Sequence, residues 1–222
     1  MAKRGDSVEI GDSILAALDA DQRAVAIATR GPVCVIAGAG TGKTRAITHR
    51  IAYAAAIGTM DPQKVLALTF TAKAAGEMRA RLRTLGVPTV AARTIHSAAL
   101  KQLLYFWPSV FGGRTPDLMT TKTGFLTEAI NRAGLSDSIR ATNRELMRDI
   151  ASEIEWAKVS QVAPSDYVDE ISKRMQKPRV LPEQMVQIYT AYESVKKQEL
   201  AIDFEDVLLL CAAMLEEELE VR

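Results

Sequence analysis

The sequence predicts an α/β protein: a parallel sheet around a phosphate-binding loop, with an all-helical insert. Three observations predict it. Apolar strand-like runs alternate with helix-length amphipathic runs through the first half of the chain. The stretch AGAGTGKT, Ala37–Thr44, stands between one such run and one such helix. After residue 111 the segments read as helix only.

Taken in order, each element has a local reason. Asp19 suits the N-cap of a short helix running through Gln22 to Ala28. PVCVIAG is apolar on both faces and reads as a buried strand. A glycine-rich turn follows, then the helix TRAITHRIAYAAA, ending near Gly58. KVLALTF is the second strand and TAKAAGEMRARLRTL the next helix, stopped by Gly86 and Pro88. PTVAART is a weaker third strand, and HSAALKQLLYFW a helix ended by Pro108. Four helical segments follow FGGRTPD. TTKTGFLTEAINRAG has a threonine start and a glycine stop. ATNRELMRDIASEIEWAKV opens with Thr142 and Glu145 in capping-box spacing, and PSDYVDEISKRMQ is third. LPEQMVQIYTAYESVKKQEL has Pro182 in its first turn. IDFEDVLLLCAAMLEEELEVR closes the chain as a helix with an acidic tail. The expected division is 1–111 for the sheet-bearing part, 112–200 for the insert, and 201–222 for the return helix and acidic end.

Composition fits a soluble globular protein, with 48% hydrophobic and 25% charged residues among 222. No segment approaches the roughly 18 unbroken apolar residues of a membrane span. MAKRGDSVEIGDS lacks the apolar core of a secretory signal, so a cytoplasmic protein without membrane contact is expected. Cys34 and Cys211 each sit in an apolar run and read as small buried residues, not as a disulfide or metal site. The net charge of +1 hides a gradient: +6 over 1–99, +1 over 100–200 and −6 over 201–222. A basic N-terminal part suits polyphosphate or a nucleic-acid backbone, and equally an ordinary solvated face.

The loop carries the most specific chemistry. Successive backbone N–H groups at a helix N-terminus can hold phosphate oxygens in one concavity. Gly38, Gly40 and Gly42 supply positions where positive φ or close approach is needed. Lys43 would reach the β- and γ-phosphates, and Thr44 would place its hydroxyl on Mg²⁺. Ala37 stands where the loop pattern has glycine, at a position where a methyl group can be accommodated.

LDADQRAVA precedes the first strand, TFTAKAAGEM follows the second and ARTIHS follows the third. Together with AGAGTGKT and IDFEDVLLL, these resemble the N-terminal part of UvrD/Rep/PcrA-type superfamily 1 DNA helicases. The resemblance runs from about Leu18 to Leu210, with motifs in family order. It implies a RecA-like ATPase core carrying a helical subdomain, ATP and Mg²⁺ as ligands, single-stranded and duplex DNA as partners, and 3′-to-5′ unwinding. In that family the loop begins with alanine, as at Ala37. The resemblance assigns nucleotide binding to Ala37, Gly38, Ala39, Gly40, Thr41, Gly42, Lys43 and Thr44, with catalysis resting on Lys43 and Thr44. Gln22 would read adenine, its amide donating to a ring nitrogen and accepting from the exocyclic amine. Arg45 would lie near the nucleotide, or serve only as a surface arginine. Thr69, Phe70 and Thr71 in one motif, and Thr94, His96 and Ser97 in the other, would contact single-stranded DNA. Phe70 could offer a face to a base or simply fill core. Ala72 and Gly76 depart from the family, which carries asparagine and a larger residue there. YFW at Tyr105–Trp107, and Trp156, read as packing.

Hydrolysis further needs a carboxylate on Mg²⁺ and a group orienting water. The family supplies both from an Asp-Glu strand end after IDFEDVLLL, and the sequence shows no such strand. CAAMLEE, with Glu216 and Glu217, continues a helical pattern. The chain is therefore expected to bind nucleotide without turning it over and to expose an apolar sheet edge that favours association. Asp203 or Glu217 serving as the carboxylate, a non-catalytic nucleotide-gated module, a helicase–nuclease and a P-loop kinase are the alternatives.

Overall fold

The computed structural model describes residues 4–140, 143–175 and 177–218. It is mostly helical, with two small parallel sheets, and the chain forms two compact units, Met1–Ala98 and Ala99–Arg222.

The first unit holds α1 (Arg4–Ala16), α2 (Ala20–Ile27), α3 (Lys43–Ala56), β1 (Leu66–Thr69), α4 (Ala72–Thr84), β2 (Ala91–Thr94) and the start of α5 (Ile95–Val110). β1 and β2 run parallel, from Leu66 opposite Ala91 to Thr69 opposite Thr94. Parallel neighbours need a crossover, and α4 provides it. Ala67 and Ala92 point into a core built with Ile51 of α3, Met78 and Leu82 of α4 and Ile14 of α1. By strand alternation Leu66 and Leu68 face the other way, and both are exposed. These two lie on a face of the sheet, whereas the sequence predicts an exposed apolar edge.

The expected strand PVCVIAG does not form. Residues 32–38 have no regular structure, and Ile36 is 96% exposed. An apolar run becomes a strand only against a neighbour, and among the described residues the sheet of this unit ends at β1 and β2. For the same reason Cys34 is exposed, not buried.

The second unit holds the rest of α5, then β3 (Asp117–Leu118), α6 (Thr123–Arg132), α7 (Arg144–Val159), α8 (Tyr167–Ser172), α9 (Pro182–Gln198), β4 (Ala201–Ile202) and α10 (Phe204–Glu217). Pro108 does not end α5, which continues to Val110. Proline forfeits one N–H, and the N–H groups of Phe111 and Gly112 both return to the Trp107 carbonyl. Helices α6 to α9 enclose a core of Ile130, Ile150, Ile154, Met185, Ile188 and Tyr192. Thr142 lies outside the described residues. The cap of α7 is Asn143, whose Oδ1 accepts the Leu146 N–H at 3.1 Å. Pro182 stands in the first turn of α9, as expected. A second core joins Leu103 of α5 to Ile202, Val207, Cys211 and Met214. β3 and β4 pair in parallel, Asp117 with Ala201 and Leu118 with Ile202.

Candidate functional site

Three pieces of chain surround a cavity of about 710 Å³: the start of α2, the irregular stretch 33–37, and the glycine-rich loop with the start of α3. Asp19 Oδ1 accepts the Gln22 N–H at 2.8 Å, capping α2 as expected. That cap aims Gln22 at the loop, where its Nε2 donates to the Thr41 carbonyl at 3.1 Å. Gly40 and Gly42 have φ of +78° and +83°, a region that costs a non-glycine residue about 1–2 kcal/mol. Gly42 is doubly constrained, because a Cβ there would lie 2.5 Å from Gln22 Nε2. The Thr41 hydroxyl donates to the Gly38 carbonyl at 2.9 Å, and Ala39 sits in the exposed turn with Gly40.

Lys43 opens α3, with Gly42 as its N-cap and no side-chain cap bond. Its Nζ folds back over the loop and donates to the carbonyls of Ala37, at 2.9 Å, and Gly38. The first-turn N–H groups of a helix have no intrahelical acceptor. No acidic residue stands in this turn, while Lys43 and Arg45 add two cations. Helix dipole, free N–H groups and lysine therefore make the loop an electropositive concavity suited to an anion. Thr44 is the second residue of α3, and its carbonyl accepts from the Thr48 hydroxyl at 2.9 Å. Arg45 is placed differently: its guanidinium donates to the Ala17 carbonyl, and it is not among the residues lining the cavity.

The six candidate DNA residues also come together. Thr69 and Thr94 are register partners at the C-terminal ends of β1 and β2. Thr71 accepts the Ala74 N–H and caps α4, while Thr94 accepts the Ser97 N–H at the start of α5, both at 3.1 Å. Thr69 donates to the Thr71 carbonyl and Ser97 to the Thr94 carbonyl, so these hydroxyls build the two strand-to-helix turns. Two helix N-termini thus open side by side at one sheet end. Phe70 stands on that rim, 90% exposed, which removes the core alternative for it. His96 is half-buried just inside α5.

One cluster was not anticipated. Lys158 of α7 and Lys196 of α9 are buried, and both contact Asp203 and Asp206 at the start of α10, with Glu193 completing the group. Asp203 and Asp206 also form a reciprocal capping box for α10. The Tyr192 hydroxyl donates to Asp203 Oδ2 at 3.1 Å. Burial alone would raise the Asp203 carboxyl, but Lys158 and Lys196 override it and hold it below the usual range. Burial would lower Lys158, yet Glu193, Asp203 and Asp206 raise it above its ordinary value. A sequence signal existed. Lys158 continues the apolar Ile150–Ile154 stripe of α7 by one turn, and Lys196 continues Ile188–Tyr192 on α9. A lysine on a core-facing stripe requires a carboxylate partner.

Residues 18–222 match the UvrD/REP helicase N-terminal domain family, and the chain belongs to that family. It is 42% identical to the ATP-dependent DNA helicase UvrD2 of Mycobacterium tuberculosis (strain ATCC 25618 / H37Rv), over 95% of this chain and 31% of that protein. It is also 32% identical to the ATP-dependent DNA helicase PcrA of Leuconostoc citreum, over 82% of this chain and 24% of the relative. The chain thus spans less than a third of the length of the relatives it matches.

Proposed function

We propose that the chain is the ATP-binding N-terminal part of an ATP-dependent DNA helicase. The whole protein would couple ATP hydrolysis to 3′-to-5′ translocation on single-stranded DNA and to duplex unwinding. The observation that carries this is the Gln22 amide seated against a positive-φ glycine of the loop, which joins a base-reading group to a phosphate cradle. Adenine would lie along Gln22 against the apolar wall of Val25, Ala28 and Val33. The loop from Ala37 to Gly42 would wrap the phosphates, with Lys43 turning from the Ala37 and Gly38 carbonyls toward them. Thr44 would hold Mg²⁺, which when bound supplies the charge that neutralises the phosphate oxygens. Thr69, Phe70, Thr71, Thr94, His96 and Ser97 form the single-strand contact, Phe70 stacking a base and the two helix N-termini receiving phosphates.

In this reading residues 1–111 belong to a RecA-like core, 112–200 to an inserted helical subdomain and 201–222 to the return toward the core. The protein works in the cytoplasm. The chain alone binds Mg·ATP and does not turn it over. Asp203 is engaged by two buried ammonium groups, and the acids lining the cavity, among the described residues, are Asp19, already a helix cap, and Asp21. Calorimetric titration of Mg·ATP into the chain and into Lys43→Ala, beside a turnover assay with and without single-stranded DNA, tests this. The expected result is binding lost in the variant and no turnover. DNA-stimulated turnover that needs Lys43 would overturn the non-catalytic part.

A further inference from the structure

Helix α1 lies ahead of residue 18, where the family match begins. It is nevertheless docked on the helix that leaves the phosphate loop. Ile14 and Leu15 are buried, and Gly11 packs so closely on the Tyr53 ring of α3 that a Cβ would lie 3.2 Å from it. The polar join is Arg45, which donates to the Ala17 carbonyl just past the end of α1 at 2.5 Å. Two electrostatic needs meet in this bond. The last turn of α1 contains no basic residue of its own to answer its negative end. The first turn of α3 contains Lys43 and Arg45 and no acid, at the positive end of a helix. Each end lacks what the other offers.

Arg45 also stands beside the loop, its Cβ 3.9 Å from where a Cβ on Gly42 would be. Further along α3, Arg50 Nε donates to the Ala28 carbonyl at 2.7 Å. The segment carrying Gln22 is thus held at both ends by arginines of α3. A nucleotide seated on the loop would offer Arg45, three residues past Gly42, a competing acceptor. A guanidinium prefers a phosphate, which is anionic and bidentate, over one neutral carbonyl.

We propose that α1 is a strap that competes with polyphosphate for Arg45, so that seating a nucleotide on the loop loosens α1 and docking α1 weakens the nucleotide. The proposal rests on the nucleotide reading above. It makes Arg45 a positioning residue whose partner changes between two conditions. Linkage is reciprocal, so the effect must be visible from both sides.

The test is hydrogen exchange on the full chain with and without saturating Mg·ATP, together with Mg·ATP affinity for Gly11→Leu, which pushes α1 off Tyr53 without touching the loop. The expected result is slower exchange at amides 38–46 and faster exchange at 9–18 when Mg·ATP is added. Gly11→Leu should bind about fivefold tighter or more, the lower end of usual coupling between sites. Protection of 38–46 with unchanged or slower exchange at 9–18 would overturn the strap while leaving the nucleotide reading intact. Equal or weaker binding by a folded Gly11→Leu would do the same. If that variant does not fold, exchange on the unaltered chain decides alone. No protection of 38–46, or protection that survives Lys43→Ala, would overturn the nucleotide reading and the strap with it.

Discussion

At Gly42 a single added methyl group would meet two obstacles. A methyl group there meets a φ of +83° and the Gln22 amide nitrogen 2.5 Å away, so strain and clash coincide. Gly42→Ala should therefore weaken Mg·ATP binding about fivefold or more by titration, the lower end of the cost of about 1–2 kcal/mol for left-handed backbone. Phe70 is the opposite case, a large apolar side chain that contributes almost nothing to the core. Phe70→Ala should leave the melting temperature unchanged. Stacking one base is worth about 1–3 kcal/mol, so affinity for single-stranded DNA, read by fluorescence anisotropy, should fall roughly tenfold.

Helix α10 is fixed by charge as much as by its apolar face. Asp203 at its N-cap and Asp206 in its first turn cap the helix and bind Lys158 and Lys196 at once. Replacing Lys158 by Met leaves buried carboxylate charge with one ammonium fewer and should cost about 3–5 kcal/mol in denaturant unfolding. The pH dependence has two arms. The folded Asp203 carboxyl is held low, so its stabilisation is complete above its unfolded value near ~3.9 and is lost as pH falls below it. The folded Lys158 is raised, so its contribution is complete below the unfolded value near ~10.4 and is lost as pH rises beyond it. Melting temperature followed by far-UV circular dichroism should show a plateau between, and Asp203→Asn should flatten the acid arm. Much at this scale is legible in sequence. Helices α2 and α9 begin where Asp19 and Pro182 say they should, and the loop announces itself by its glycines. What escapes is non-local. PVCVIAG has a strand's composition, but pairing needs a neighbour that composition does not supply. β3 and β4, two residues each, are too short to show a pattern. In the lysine–aspartate cluster Lys158 meets Asp203 across 45 residues of chain, which only the packed bundle brings together.

On the scale of the whole chain, exposed Leu66 and Leu68 put apolar surface on a sheet two strands wide among the described residues, and Ile36 is exposed in the irregular stretch before the loop. Sedimentation velocity should show concentration-dependent association, and Leu66→Lys with Leu68→Lys should reduce it without altering Mg·ATP affinity. The second unit has a different whole-chain property, written in its smallest sheet. Asp117–Leu118 and Ala201–Ile202 lie side by side although more than eighty residues separate them. The chain leaves for the α6–α9 bundle and comes back at the same place. A detour whose two ends are adjacent is topologically self-contained. Its loops can change length without moving α10 as long as Lys158 and Lys196 keep their bonds to Asp203 and Asp206, and pairing those four strand residues early would have to bear the entropy of closing a long loop.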